Sequence, residues 1–269
     1  MPIFADFMPI SLGLIVGLIM ALTGAGGSIL AIPLLVLGLN LSLPQAAPIA
    51  LLAIMFGASV GAVQGLHTGI VRYKTALLIA GFGIAFAPIG VWLAQHASGQ
   101  ILNLCFAIIL IFVAFRMWQQ NAQALPSGES KTAPVCAINP VNSKLFWTAS
   151  CTKRLISTGA ITGLLSGLLG VGGGFVIVPS LQKVSNFNTQ TIIATSLAAT
   201  AIISASSVAT YLLHGDIYWK IAVPFVASAT VSMLAFRLVS HKIPAKISQR
   251  SFAVLAVLAA ILMLIKASH

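Results

Sequence analysis

The chain has 269 residues, 59% of them hydrophobic and 6% charged, with a mean hydropathy of +1.06. A soluble domain carries about 25% charged residues, so this composition excludes an ordinary water-soluble core and makes lipid the solvent. The formal charge of +11, from 14 Lys and Arg against 3 Asp and Glu, sits between apolar runs; that placement reads as retention on a cytoplasmic membrane face and speaks against a nucleic-acid partner.

In chain order, the N-terminus has no Lys or Arg ahead of its apolar run, so a cleavable leader is not expected and the first segment reads as part of the mature protein. Apolar runs follow at 8–39, 44–66, 76–94 and 101–118, and again at 155–181, 191–213, 221–239 and 252–265. Most approach the roughly 20 residues of a membrane-spanning helix. Between the two sets lies a polar stretch with Pro126, Gly128, Glu129 and Lys131. The expected organisation is a first membrane repeat at 1–118, a cytoplasmic linker at 119–154 and a second repeat at 155–269. Cys105, Cys136 and Cys151 show no CxxC spacing and no histidine companions; they read as packing residues, with neither metal site nor disulfide expected.

One offset, 146 residues, superposes the halves: Gly17 on Gly163, Gly24 on Gly170, Gly26 on Gly172, Gly27 on Gly173, Pro33 on Pro179, Asn40 on Asn186, Gly69 on Gly215 and Lys74 on Lys220. Hydrophobicity alone aligns leucines; it does not keep glycines, a proline, an asparagine and a lysine in one register. The chain is a tandem duplication.

The first segment of each half is too long for one plain helix and carries a glycine cluster, Gly24-Ala25-Gly26-Gly27 and Gly170-Val171-Gly172-Gly173-Gly174. Glycine costs a helix about 1 kcal/mol each and permits left-handed backbone, so both segments should break there. If each broken segment crosses once, the halves point the same way and the basic residues divide nine against five. If it is a re-entrant hairpin or two short crossings, the second half is inverted and twelve of the 14 share the linker side, leaving Lys220 and Lys266 opposite. The second division fits the positive-inside rule. The expected fold is therefore an all-α polytopic membrane protein of two inverted-topology repeats, each opening with a glycine-broken or re-entrant segment, both termini outside.

Asp6, Glu129 and Asp216 all fall in terminal or loop positions, so a cation site built from membrane carboxylates is not expected. Interrupted helices at matching positions point instead to a transporter site, where free amides and positive helix ends hold an anion. The residues singled out for contact are Thr23, Gly24, Gly26, Gly27 and Ser28 in the first half, with Gly170, Gly172, Gly173, Gly174, Thr195 and Ser196 in the second; Thr200 is a further hydroxyl that could complete the site. Asn40 and Asn186 read as helix-end caps. Gln64, His67 and His214 are the candidates for a coupling role, set against interfacial anchoring. No GxSxG, HExxH or P-loop lysine occurs, so neither an enzyme nor a cofactor is expected.

The run from Gly163 to Pro179, Gly-Leu-Leu-Ser-Gly-Leu-Leu-Gly-Val-Gly-Gly-Gly-Phe-Val-Ile-Val-Pro, followed by Ala194-Thr-Ser-Leu197, resembles the sulfite exporter TauE/SafE family of membrane permeases. Gly17 to Pro33 looks like that family's first repeat, with Ser28 where the second copy has Gly174. The resemblance implies a secondary transporter of the bacterial plasma membrane that moves sulfite, sulfoacetate or other sulfonates, usually outward. Its partners are then a small anion and the lipid bilayer, with self-association into a homo-oligomer left open. Uptake of the same anions, or a non-transporting membrane scaffold, are the alternatives.

Overall fold

The computed structural model describes residues 3–23, 28–122, 136, 148–214, 217–240 and 245–268. Within them the protein is all-α. The first half gives α1 (Ile3–Thr23), α2 (Ala31–Gly38), α3 (Leu43–His67), α4 (Tyr73–His96) and α5 (Gly99–Ala122). The second gives α6 (Ala149–Leu169), α7 (Gly174–Val184), α8 (Thr189–His214), α9 (Trp219–Ser240) and α10 (Ala245–Ser268). Helical structure thus enters the 119–154 stretch from both ends.

Local chemistry sets several helix ends. The Gln45 side chain accepts from the Ser42 amide at 3.1 Å, and Thr148 Oγ1 accepts from the Cys151 amide at 3.2 Å; both satisfy amides that a helix start leaves open. Asn40, just beyond α2, is left-handed with φ 52°, as an Asn stop requires. Among the described residues α3, α4, α8 and α9 are long and apolar enough to cross a membrane. The α3 and α8 spans are 72% buried against 39% and 28% for α4 and α9, so the first pair forms the centre and the second faces outward. Exposed Trp92, Phe112, Phe115, Val231 and Leu258 would be a liability in water and cost nothing against lipid tails.

Small residues fix how the halves meet. A Cβ added at Gly159 would strike the Ile79 backbone, one at Gly163 the Gly83 backbone and one at Gly167 the Ala87 carbonyl. Positions rise together, so α4 and α6 run parallel at close backbone approach. The other half repeats this in register: Gly13 lies against Phe225 and Gly17 against Ala229, each pair being the 146-residue counterpart of one just named. The central helices run oppositely. Gln45 at the start of α3 reaches Tyr218 beyond the end of α8, while Arg72 beyond the end of α3 meets Thr195 near the start of α8.

Short connections reverse the chain between α3 and α4 and between α8 and α9, so α1, parallel to α9, runs the same way as α3. The chain must therefore turn back between them. It does so in α2, whose Gly38 lies against Leu12 of α1. In the second half Thr158 of α6 touches Ser180 of α7. Each broken segment is a helical hairpin. Lys266, in the last turn of α10, donates to the Val36 carbonyl at 2.7 Å and complements the negative end of α2.

One sequence reading is corrected. Cys136 and Cys151 form a disulfide, their Cα atoms 5.2 Å apart, where none was expected; Cys105 is free. Their spacing carries no signal. Proximity arises because the Cys136 amide bonds the Val184 carbonyl at 2.9 Å, a contact the linear chain does not announce.

Candidate anion site

The second break is built by backbone geometry that only glycine adopts without strain. Gly170 ends α6 with φ 72°, Gly172 follows with φ 69°, and Gly173 caps α7 with φ 74°; a side chain in that region costs about 1–2 kcal/mol. Gly174 is the first residue of α7 and, like its glycine neighbours, is buried. Among the described residues no backbone carbonyl accepts from the amides of Gly173, Gly174 or Phe175. These are the open donors of a helix start, where the macrodipole leaves about half a positive charge. With 11 residues, α7 is roughly 16 Å long, about half the thickness of a hydrocarbon core.

Two residues of α8 approach the same break, Ser204 with its hydroxyl oxygen and Thr200 with its methyl group. A Cβ at Gly172 would lie 3.0 Å from Ser204 Oγ, 3.2 Å from Thr200 Cγ2 and 2.6 Å from Ile54 Cγ2. Thr200 is 1% exposed and Ser204 0%, and neither side-chain oxygen has a hydrogen-bond partner. Burying an unpaired hydroxyl costs on the order of 1–3 kcal/mol, so such atoms mark a place where a partner belongs. Open amides and unpartnered hydroxyls together can hold the oxygens of an anion; among the described residues no Asp or Glu side chain competes for them.

The polar lining belongs to one half. Ser196, Thr200 and Ser204 stand one turn apart on α8, with first-half counterparts Ala50, Ile54 and Ala58. On α6, Thr162 and Ser166 replace Val16 and Met20. Thr162 donates to the Thr158 carbonyl at 2.6 Å, Ser166 and Ser207 share a hydrogen bond of 3.1 Å, and Tyr211 donates to the Gly167 carbonyl at 3.0 Å. The Ser166–Ser207 and Tyr211–Gly167 bonds hold α8 against α6, while the Thr162 bond stays within α6.

Of the residues expected at the site, Ser28 is buried and donates to the Val171 carbonyl at 3.0 Å, bringing the start of the first returning segment to the second break. Thr23 closes α1, with its side chain outside the described residues, and Gly24, Gly26 and Gly27 lie outside them as well. Ser196 faces along the α8 stripe and donates to the Ile193 carbonyl at 2.8 Å. Thr195 is turned away: its hydroxyl accepts from the Arg72 amide at 3.1 Å. Gln64 and His67 are exposed in the last turn of α3, apart from the break, and His214 ends α8 with its side chain outside the described residues. Ser204 was not singled out from sequence, although its spacing from Ser196 and Thr200 is the signal that finds it. A groove of about 330 Å³ lined by Pro88, Trp92 and Gln95 of α4 and Thr210 of α8 lies elsewhere.

Two facing helical hairpins within a bundle of apolar helices define a multi-pass membrane protein with a buried, hydroxyl-lined helix start. The chain belongs to the Sulfite exporter TauE/SafE family, whose profile it matches over residues 10–263. It is similar to a "Probable membrane transporter protein" of Xylella fastidiosa, 28% identical over 90% of this chain and 89% of that one. The "Probable membrane transporter protein MJ0441" of Methanocaldococcus jannaschii is 25% identical over 90% of this chain and 85% of that one. The "Probable membrane transporter protein YunE" of Bacillus subtilis is 24% identical over 81% and 82%. No solved structure matches the chain.

Proposed function

We propose that this protein is a secondary transporter that exports a small sulfur-containing anion, sulfite, sulfoacetate or another sulfonate, by alternating access. The observation that carries the reading is the α7 start, whose open amides lie at a break approached by the unpartnered hydroxyl of Ser204, with the buried, unpartnered hydroxyl of Thr200 one turn away on α8. A sulfonate or sulfite head presents three oxygens to such donors. Membership of the family and the transporter descriptions of its relatives support transport; the family description and the donor chemistry support the choice of anion class.

The break is buried, so an anion reaches it only when a hairpin and the central pair α3/α8 move apart. Inverted repeats supply two such openings, one toward each face. The opposed directions of α3 and α8 support that arrangement in the membrane. The positive-inside rule then assigns the linker face to the cytoplasm of a bacterial inner membrane and both termini to the outside.

Purified protein in liposomes should move labelled sulfoacetate or sulfite, and replacing Gly172 with leucine should abolish flux. Flux equal to protein-free liposomes for every sulfur oxyanion tested would sink the transport reading. Full flux in the Gly172→Leu variant would sink the site alone.

A further inference from the structure

We infer that Cys136 and Cys151 form a reversible thiol–disulfide modification site that staples the open end of the α6–α7 hairpin. Cys136 is bonded covalently to Cys151 in the first turn of α6, its amide donates to the Val184 carbonyl at 2.9 Å in the last turn of α7, and it bridges to Ser185. Both cysteines are buried with Leu155, Leu181 and Val184. One residue thus ties together the two legs of the hairpin whose tip carries the anion site.

This end of the molecule carries Arg72, Lys153, Arg154 and Lys183, and lies on the face that holds twelve of the 14 basic residues, the cytoplasmic one by the positive-inside rule. Cytosolic thiols are kept reduced, and the disulfides that do form there are mostly transient, catalytic or redox-sensing. A disulfide geometry on that face is therefore a switch rather than a permanent brace.

The chemistry balances with a low-molecular-weight disulfide such as oxidised glutathione as oxidant. One cysteine thiolate attacks it, forming a mixed disulfide and releasing one small thiolate. The second cysteine thiolate then attacks the protein sulfur of that mixed disulfide, closing Cys136–Cys151 and releasing the second. Two electrons pass from the protein sulfurs to the oxidant, and the two cysteine protons end on the two released thiols. Burial makes exchange wait on local opening of the first turn of α6, where Ala149 and Ser150 are exposed. Oxidised, the legs are held together and the hairpin resists the movement that opens the site; reduced, it moves.

The functional half of this inference rests on the transport reading, so the test has readouts that do not. In intact cells, a membrane-permeant maleimide should alkylate Cys136 and Cys151, and treatment with the thiol oxidant diamide beforehand should protect both; a pair already protected in untreated cells overturns the proposal. With purified full-length protein, amide hydrogen exchange over 174–185 should slow at least severalfold in oxidised against reduced glutathione. Equal exchange overturns it. In liposomes, flux should fall severalfold on oxidation, the Cys136→Ser and Cys151→Ser variants should lose that response, and Cys105→Ser should keep it. Redox-dependent exchange with no flux in either state counts against transport and leaves the switch standing; unchanged flux on oxidation in an active transporter overturns the switch.

Discussion

Ser28 donates its hydroxyl to the Val171 carbonyl at 3.0 Å, a buried bond between residues 143 positions apart. It joins the first returning segment to the second glycine break, so neither hairpin can shift without the other registering it. Ser28→Ala leaves a buried carbonyl without its donor. The expected cost is about 1–3 kcal/mol, read as a lower melting temperature of the purified protein in detergent; an unchanged melting temperature would show the bond to be dispensable.

Thr200 and Ser204 offer the opposite balance. Their side-chain oxygens are already unpartnered, so Thr200→Val and Ser204→Ala remove a burial cost instead of a bond. Each variant should match or exceed the parent in thermal stability and bind sulfoacetate about tenfold more weakly, a loss of about 1.4 kcal/mol. Titration calorimetry on both variants checks this. Reduced stability with unaltered affinity would make these hydroxyls structural.

Gly172 combines two constraints that can be separated. Alanine there meets a left-handed φ of 69° and a Cβ placed 2.6 Å from Ile54 Cγ2. Gly172→Ala should destabilise by the backbone cost of about 1–2 kcal/mol plus the clash. Ile54→Ala by itself opens a cavity at a cost of about 2–5 kcal/mol, so the comparison is made within that background, where Gly172→Ala should cost only the backbone share. A Gly172→Ala penalty undiminished by Ile54→Ala would locate the whole of it in the backbone.

The glycines along α1 and α6 act as spacers. Gly163 faces the Gly83 backbone and Gly17 faces the Ala229 carbonyl, so Gly163→Val and Gly17→Val should each separate a helix pair at a cost of about 1–3 kcal/mol. Their duplicated positions predict similar penalties. Gly81 has nothing within 4 Å of an added Cβ, and Gly81→Ala should be neutral or stabilising by about 0.5–1 kcal/mol. Thermal unfolding of the three variants compares them directly.

Much of this was legible in the sequence because its signals are local. Apolar run lengths give the spans, glycine clusters give the breaks, and a constant offset of Gly17 to Gly163 and Lys74 to Lys220 gives the duplication. The charge division favoured an inverted arrangement without choosing between a re-entrant hairpin and two short crossings.

What only the tertiary structure decided depends on residues far apart in the chain. Leu12 against Gly38 makes the broken segment a hairpin, a distinction that helix periodicity does not encode. The approach of α8 to Gly172 brings the Ser204 hydroxyl and the Thr200 methyl group to one break, while the Arg72 amide bonds Thr195 instead. Cys136 meets Cys151 because the Val184 carbonyl holds it there. Glycine dictates where a backbone can bend from its own missing side chain; which groups then face the bend is set by the packing of helices that sequence alone leaves free to rotate.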